Sequence, residues 1–134
     1  MKKLLSLLLV VAMLALVLCS CGMSADKLKD RLKDMEEDKE ISYSVMQKAS
    51  LEGFKDDLED ELYKKMKGDI EKGYSVMSTD GDGYAMILVF ENSGDAKDAA
   101  NYMKEEAEDE KDYLVKRSGK IVFFGSEDLI NEIA

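Results

Sequence analysis

The chain has no histidine, no tryptophan and only two cysteines, Cys19 and Cys21, in 134 residues. Each absence closes a route to chemistry. Without histidine the commonest general base is gone, and with it the usual nucleophile triads and most zinc geometries. Without tryptophan the chain lacks a ring suited to stacking on sugars. From Gly22 onward there is no cysteine, hence no disulfide, no thiolate nucleophile and no sulfur ligand for a metal. Positive charge is short as well: 19 basic residues stand against 29 acidic ones, a formal net charge of −10 at pH 7. An acidic surface repels phosphate backbones, so no nucleic acid partner is expected.

What the chain does have begins at its start, where residues 1–21 read MKKLLSLLLVVAMLALVLCSC. Lys2 and Lys3 supply a positive opening, and residues 4–18 form an apolar run broken only by Ser6. That is the layout of a secretory signal peptide. A membrane-spanning helix needs about 20 apolar residues, and this run meets Cys19, Ser20 and Cys21 first. The sequence Leu18-Cys19-Ser20-Cys21-Gly22 resembles the lipobox of bacterial lipoproteins, with an aliphatic residue three places before the cysteine and a small one just before it. Cys21 fits that pattern, whereas Cys19 follows the bulky Leu18.

The resemblance implies cleavage between Ser20 and Cys21, a diacylglycerol on the Cys21 sulfur and acylation, by palmitate or a similar chain, of the new amino group. Residues 1–20 are then a signal peptide, 21–40 a lipidated N-terminus with a helix, and 41–134 a single α+β domain. The alternatives are a plain secretory peptide cut nearby and an uncleaved anchor. At about 0.8 kcal/mol per buried methylene, one acyl chain holds a membrane marginally and a second makes attachment durable. The implied location is the cell membrane, on its extracytoplasmic face. Loss of Lys2 and Lys3 with the leader leaves 17 basic against 29 acidic residues, a net charge of −12.

Past the leader, Leu28, Leu32 and Met35 recur at helical spacing behind Ser24, which predicts an amphipathic helix over 24–38 that packs on its own domain. Residues 41–47 suit a strand. Leu51, Phe54, Leu58, Leu62 and Met66 then share one helical face, with Ser50 before them and Gly68 as a stop. Residues 73–79 and 83–91 predict a hairpin around Asp80-Gly81-Asp82. The uninterrupted apolar run 85–90 calls for a central strand covered on both faces. A helix follows from Asn92 or Ser93, with Ala96, Ala99, Ala100, Met103 and Ala107 inward. Residues 113–117 and 121–124 predict a second hairpin around Ser118-Gly119, and Ser126 opens a last short helix. The expected class is α+β, with the ferredoxin-like order βαββαβ, an antiparallel sheet with helices on one face, plus an N-terminal helix and a C-terminal strand and helix. Tyr43-Ser44-Val45-Met46 recurs as Tyr74-Ser75-Val76-Met77, an echo that half-buried strands select by themselves, with a duplication as the alternative explanation.

No catalytic constellation emerges. Asp80-Gly81-Asp82-Gly83 has the look of a calcium loop, but its frame puts Val89 where a bidentate Glu is required, and a hairpin turn explains the residues. The carboxylate runs Glu36-Glu37-Asp38, Asp56-Asp57, Glu59-Asp60-Glu61 and Glu105-Glu106 fall on polar helix faces instead of facing each other across a cleft. Lys116, Arg117 and Lys120 suit the guarding of an edge strand, or contact with an anionic partner. Tyr43, Tyr74, Tyr84 and Tyr113 suit either core or a binding face. The C-terminal stretch 90–133 also resembles small lipoproteins of Gram-positive bacteria, which brings no activity with it. The expectation is therefore a lipid-anchored, non-enzymatic binding or interaction module with Cys21 as its modified residue, no cofactor and no metal, meeting an envelope protein or small ligand. A receptor accessory to a transporter and a structural, oligomeric protein are the alternatives.

Overall fold

The apolar run 85–90 becomes the middle strand of a five-stranded sheet in a computed structural model that describes residues 23–134. The expected signal peptide, the expected cleavage between Ser20 and Cys21, and Cys21 itself lie outside the described residues. The strands are β1 (Ile41–Val45), β2 (Ile70–Ser78), β3 (Tyr84–Phe90), β4 (Tyr113–Ser118) and β5 (Ile121–Ser126), in the order β1-β2-β3-β5-β4. Every neighbouring pair is antiparallel. Alternate residues of β3 feed two separate cores: Ala85, Ile87 and Val89 point into one, Leu88 and Phe90 into the other. A strand apolar on both sides must be covered on both sides, so the sheet is the middle layer of three.

The helices are α1 (Ala25–Glu37), α2 (Lys48–Leu62), α3 (Ser93–Glu106) and α4 (Glu127–Ile133). α1 and α4 cover one face, and α2 and α3 the other. This corrects the ferredoxin-like expectation. The order of elements along the chain is as expected, but the strand order differs and helices lie on both faces. A split β-α-β carries each helix across to a parallel strand. Here α2 joins β1 to its immediate antiparallel neighbour β2. β1 buries only Ile41, so it suits an edge and not the interior of the sheet.

The leading helix packs on its own domain, as its stripe requires. Leu28 and Leu32 are fully buried and Met35 nearly so, while the Ser24 hydroxyl accepts from the Lys27 N–H at 3.2 Å. Arg31 ties this helix to α4 by donating to the Glu132 carbonyl at 2.8 Å. α2 is shorter than its apolar spacing predicts. It stops at Leu62 because Tyr63 turns left-handed, with φ of 54°, and the Lys64 N–H closes onto the Glu59 carbonyl. Met66 therefore sits in the following loop, where its N–H donates to a Glu59 carboxylate oxygen at 2.9 Å, yet it still packs on the α2/α3 core. α2 also starts before Ser50, and β2 starts at Ile70, ahead of Gly73, with an irregularity between Ile70 and Lys72.

Alanine brings α3 close to the sheet, with Ala96, Ala99 and Ala100 all buried. Its start is capped by Asn92, whose side-chain oxygen accepts from the N–H groups of Gly94 and Asp95. Asp95 is 5 % exposed, and its two carboxylate oxygens accept from Lys67 N–H at 3.1 Å and Gly68 N–H at 2.9 Å. The loop behind α2 is thereby clasped to α3. The echoed tetrapeptides lie side by side on β1 and β2: Tyr43 faces Val76 and Val45 faces Tyr74, with the two rings edge to face at 6.1 Å.

Candidate recognition groove

Three depressions mark the described surface. The first, about 500 Å³, lies where α2 leaves the edge of the sheet, with Lys48, Lys55 and Lys72 beside Glu52, Asp69 and Glu71. Glu91 lines it too, so four carboxylates stand beside three lysines. Lys55 donates to Asp69 at 2.6 Å, a contact that raises the lysine and lowers the carboxyl from their ordinary values. Exposed as it is, such a pair adds little to stability.

The second, about 410 Å³, is acidic and opens beside the β2–β3 turn, between Asp80, Asp82, Asp112, Glu127 and Asp128. Asp80 is occupied by the turn itself. It accepts from the Ser78 hydroxyl at 2.6 Å and the Asp82 N–H at 3.0 Å, and these bonds hold its carboxyl below the ordinary value. Gly81 supplies the positive φ, 82°, that the turn requires. The hairpin reading of Asp80-Gly81-Asp82-Gly83 is thus what the structure shows. Among the described residues, no group of three His, Cys, Asp or Glu is placed to hold a metal ion.

The third is a groove of two adjoining hollows that share Tyr102, Met103 and Phe124, one of about 500 Å³ between α2 and α3 and one of about 370 Å³ between the end of α3 and β4. Its floor arises from a mismatch of lengths. Small residues seat the first half of α3 on the sheet, whereas Tyr102 and Met103 in its second half stand off and remain half-buried beside Phe124 of β5. Phe54 and Leu58 of α2 form the facing wall. The charged residues of the rim are all carboxylates: Asp57, Asp60 and Glu61 on the α2 side, Glu106 at the end of α3 and Glu110 just past it. Neither hollow is lined by a lysine or an arginine. Desolvation, with Glu106 and Glu61 nearby, raises the Tyr102 phenol above its ordinary value.

The residues singled out from sequence fall mostly elsewhere. Lys116 and Arg117 are exposed on β4, an edge strand, and Lys120 lies in the β4–β5 turn, where Arg117 also donates to the Gly119 carbonyl. Tyr74 is buried and Tyr43 packs on it, while Tyr84 and Tyr113 stay partly exposed. Of the four tyrosines only Tyr113 reaches the groove. Helical spacing does not single out Tyr102, and it places Phe54, Leu58 and Met103 on inward faces. Among the described residues no helix is long and apolar enough to cross a membrane. No family model, curated protein or solved structure matches this chain.

Proposed function

We propose that the protein is a lipid-anchored, non-enzymatic binding module of the cell envelope, held on the outer face of the cytoplasmic membrane by acyl chains on Cys21. The observation behind this reading is the series Leu18-Cys19-Ser20-Cys21 with a folded domain directly after it. Met23, two positions past Cys21, already packs against the α1/α4 core. The domain that follows offers an apolar groove and turns its carboxylates outward, an arrangement suited to recognition more than to turnover.

Mass spectrometry of protein extracted from membranes by detergent tests the anchor. An N-terminal peptide beginning at Cys21 and carrying the mass of a diacylglycerol is expected, and it should vanish in Cys21→Ala. An N-terminal peptide with an unmodified Cys21 would sink the proposal. A small-solute receptor accessory to a transporter is the second reading, favoured by the cleft where Lys48, Lys55 and Lys72 ring Val45 and Leu51. A thermal-shift screen of amino acids, sugars and divalent ions decides it, since a saturable ligand raises the melting point by mass action.

A further inference from the structure

We propose that the groove between α2 and α3 receives a basic, amphipathic segment of another protein. The apolar side of that segment lies on Phe54, Met103 and Phe124, and its lysine and arginine side chains reach the carboxylates on the rim. The inference rests on the reading of this chain as a binding module, but not on its acylation.

Three features support it. The two hollows adjoin, with Tyr102, Met103 and Phe124 lining both, so an elongated occupant reaches both where a compact one fills a single hollow. The rim is of a single sign. Asp57, Asp60 and Glu61 flank one side and Glu106 and Glu110 the other, with no base among the lining residues to neutralise them. An anionic or neutral segment would leave those carboxylates crowded and uncompensated, whereas a cationic one relieves them. Finally, of the floor residues Tyr102, Met103 and Phe124 only the tyrosine carries an oxygen on its side chain, so the floor is suited to apolar contact more than to orienting a small polar solute. Apolar contact on the floor with charge at the rim is the pattern of an amphipathic segment laid in a groove.

Methionine-methyl NMR on the full chain as extracted from membranes, in detergent micelles of zwitterionic headgroup, tests this site directly. The probe is a synthetic 18-residue Leu/Lys peptide with an apolar stripe at helical spacing. Its Leu/Glu counterpart and spermidine serve as comparisons. Addition of the Leu/Lys peptide should shift the Met103 methyl resonance saturably and leave Met35, buried in the opposite core, where it was. Asp57→Asn, Asp60→Asn and Glu106→Gln combined should weaken that binding roughly ten-fold, as loss of a few solvent-exposed ion pairs predicts. These rim positions are exposed, so the triple variant keeps the fold. A Met103 signal that does not respond, that responds equally to the Leu/Glu peptide, or that keeps its affinity in the rim variant would overturn the proposal. Spermidine binding as tightly as the peptide would overturn it too, in favour of a small polycation. If Met103 is silent while Cys21 carries its acyl mass, the groove assignment fails and the anchor stands.

Discussion

The Asp95 side chain is buried, and it is held in place by backbone donors. The N–H groups of Lys67 and Gly68 both end on its carboxylate, and the following residues lead straight into β2. Removing one partner of a buried hydrogen bond costs about 1–3 kcal/mol, more than the bond itself contributes. Asp95→Ala should therefore lower stability by about 1–3 kcal/mol, read as a fall in the urea midpoint at unchanged slope. An unchanged midpoint would mean that the loop holds itself. Asp80 gives a different signature, because its carboxyl titrates lower in the folded chain than in the unfolded one. A group of that kind stabilises above its unfolded pKa, near 4, and the contribution fades as pH falls through the lower folded value. Asp80→Asn keeps the acceptor and loses the titration. The midpoint gap between wild type and this variant should hold steady from pH 8 to 5 and shrink below about pH 4. A gap unchanged at the lowest pH would remove the charge from the account.

Among the elements, α1 is the clearest case of sequence dictating place. Leu28, Leu32 and Met35 lie on one side of it and polar residues on the other, and the buried side is the one the spacing marks. Leu32 is fully buried, and its truncation to alanine should cost about 2–5 kcal/mol, measurable by thermal or urea unfolding. A much smaller loss would mean that α1 is docked loosely. The central position of β3 was equally legible, because an apolar run with no polar interruption has no side to give to water. The order of the strands was not. It depends on which neighbour buries which face, and the short β1, with Ser42 and Ser44 exposed, fits either an edge or a partly covered position when read alone. The end of α2 escaped for a local reason: Leu62 and Met66 keep helical spacing, but Tyr63 adopts a left-handed backbone that its side chain does not advertise. The groove escaped for a global one. Phe54, Tyr102 and Phe124 meet only through the sheet, so no window of sequence contains them together.

For the whole molecule, charge is distributed as unevenly as it is in total. Three ion pairs join oppositely charged side chains among the described residues, Lys55–Asp69, Lys64–Asp98 and Lys65–Glu59, the last at 4.0 Å. Most of the excess negative charge is left to repel itself. Added sodium chloride screens that repulsion over a Debye length of about 10 Å at 0.1 M. The melting temperature at pH 7 should accordingly rise between low salt and 0.5 M, and a fall would give the ion pairs more weight than their exposure allows. The excess also has a direction. At the end of the sheet where β1 begins, the connections and the helix ends beside them carry Glu36, Glu37, Asp38, Glu40, Asp80, Asp82, Asp112, Glu127 and Asp128, offset by Lys39 and Lys111. At the other end Lys48, Lys72, Arg117 and Lys120 are mixed with Glu71 and Glu91.

α1 begins over that mixed end, close enough for Asp26 to help raise the Tyr74 phenol, and runs back to meet β1. Under the proposed anchoring, a tether at Cys21 would lead into the domain at that mixed end, through Met23 and the start of α1. So held on a charged bilayer, the body would behave as a dipole with one end pinned. Repulsion from anionic headgroups would swing the free, negative pole outward without any specific contact, and the surface met first by an approaching cationic protein would be the one that draws it in.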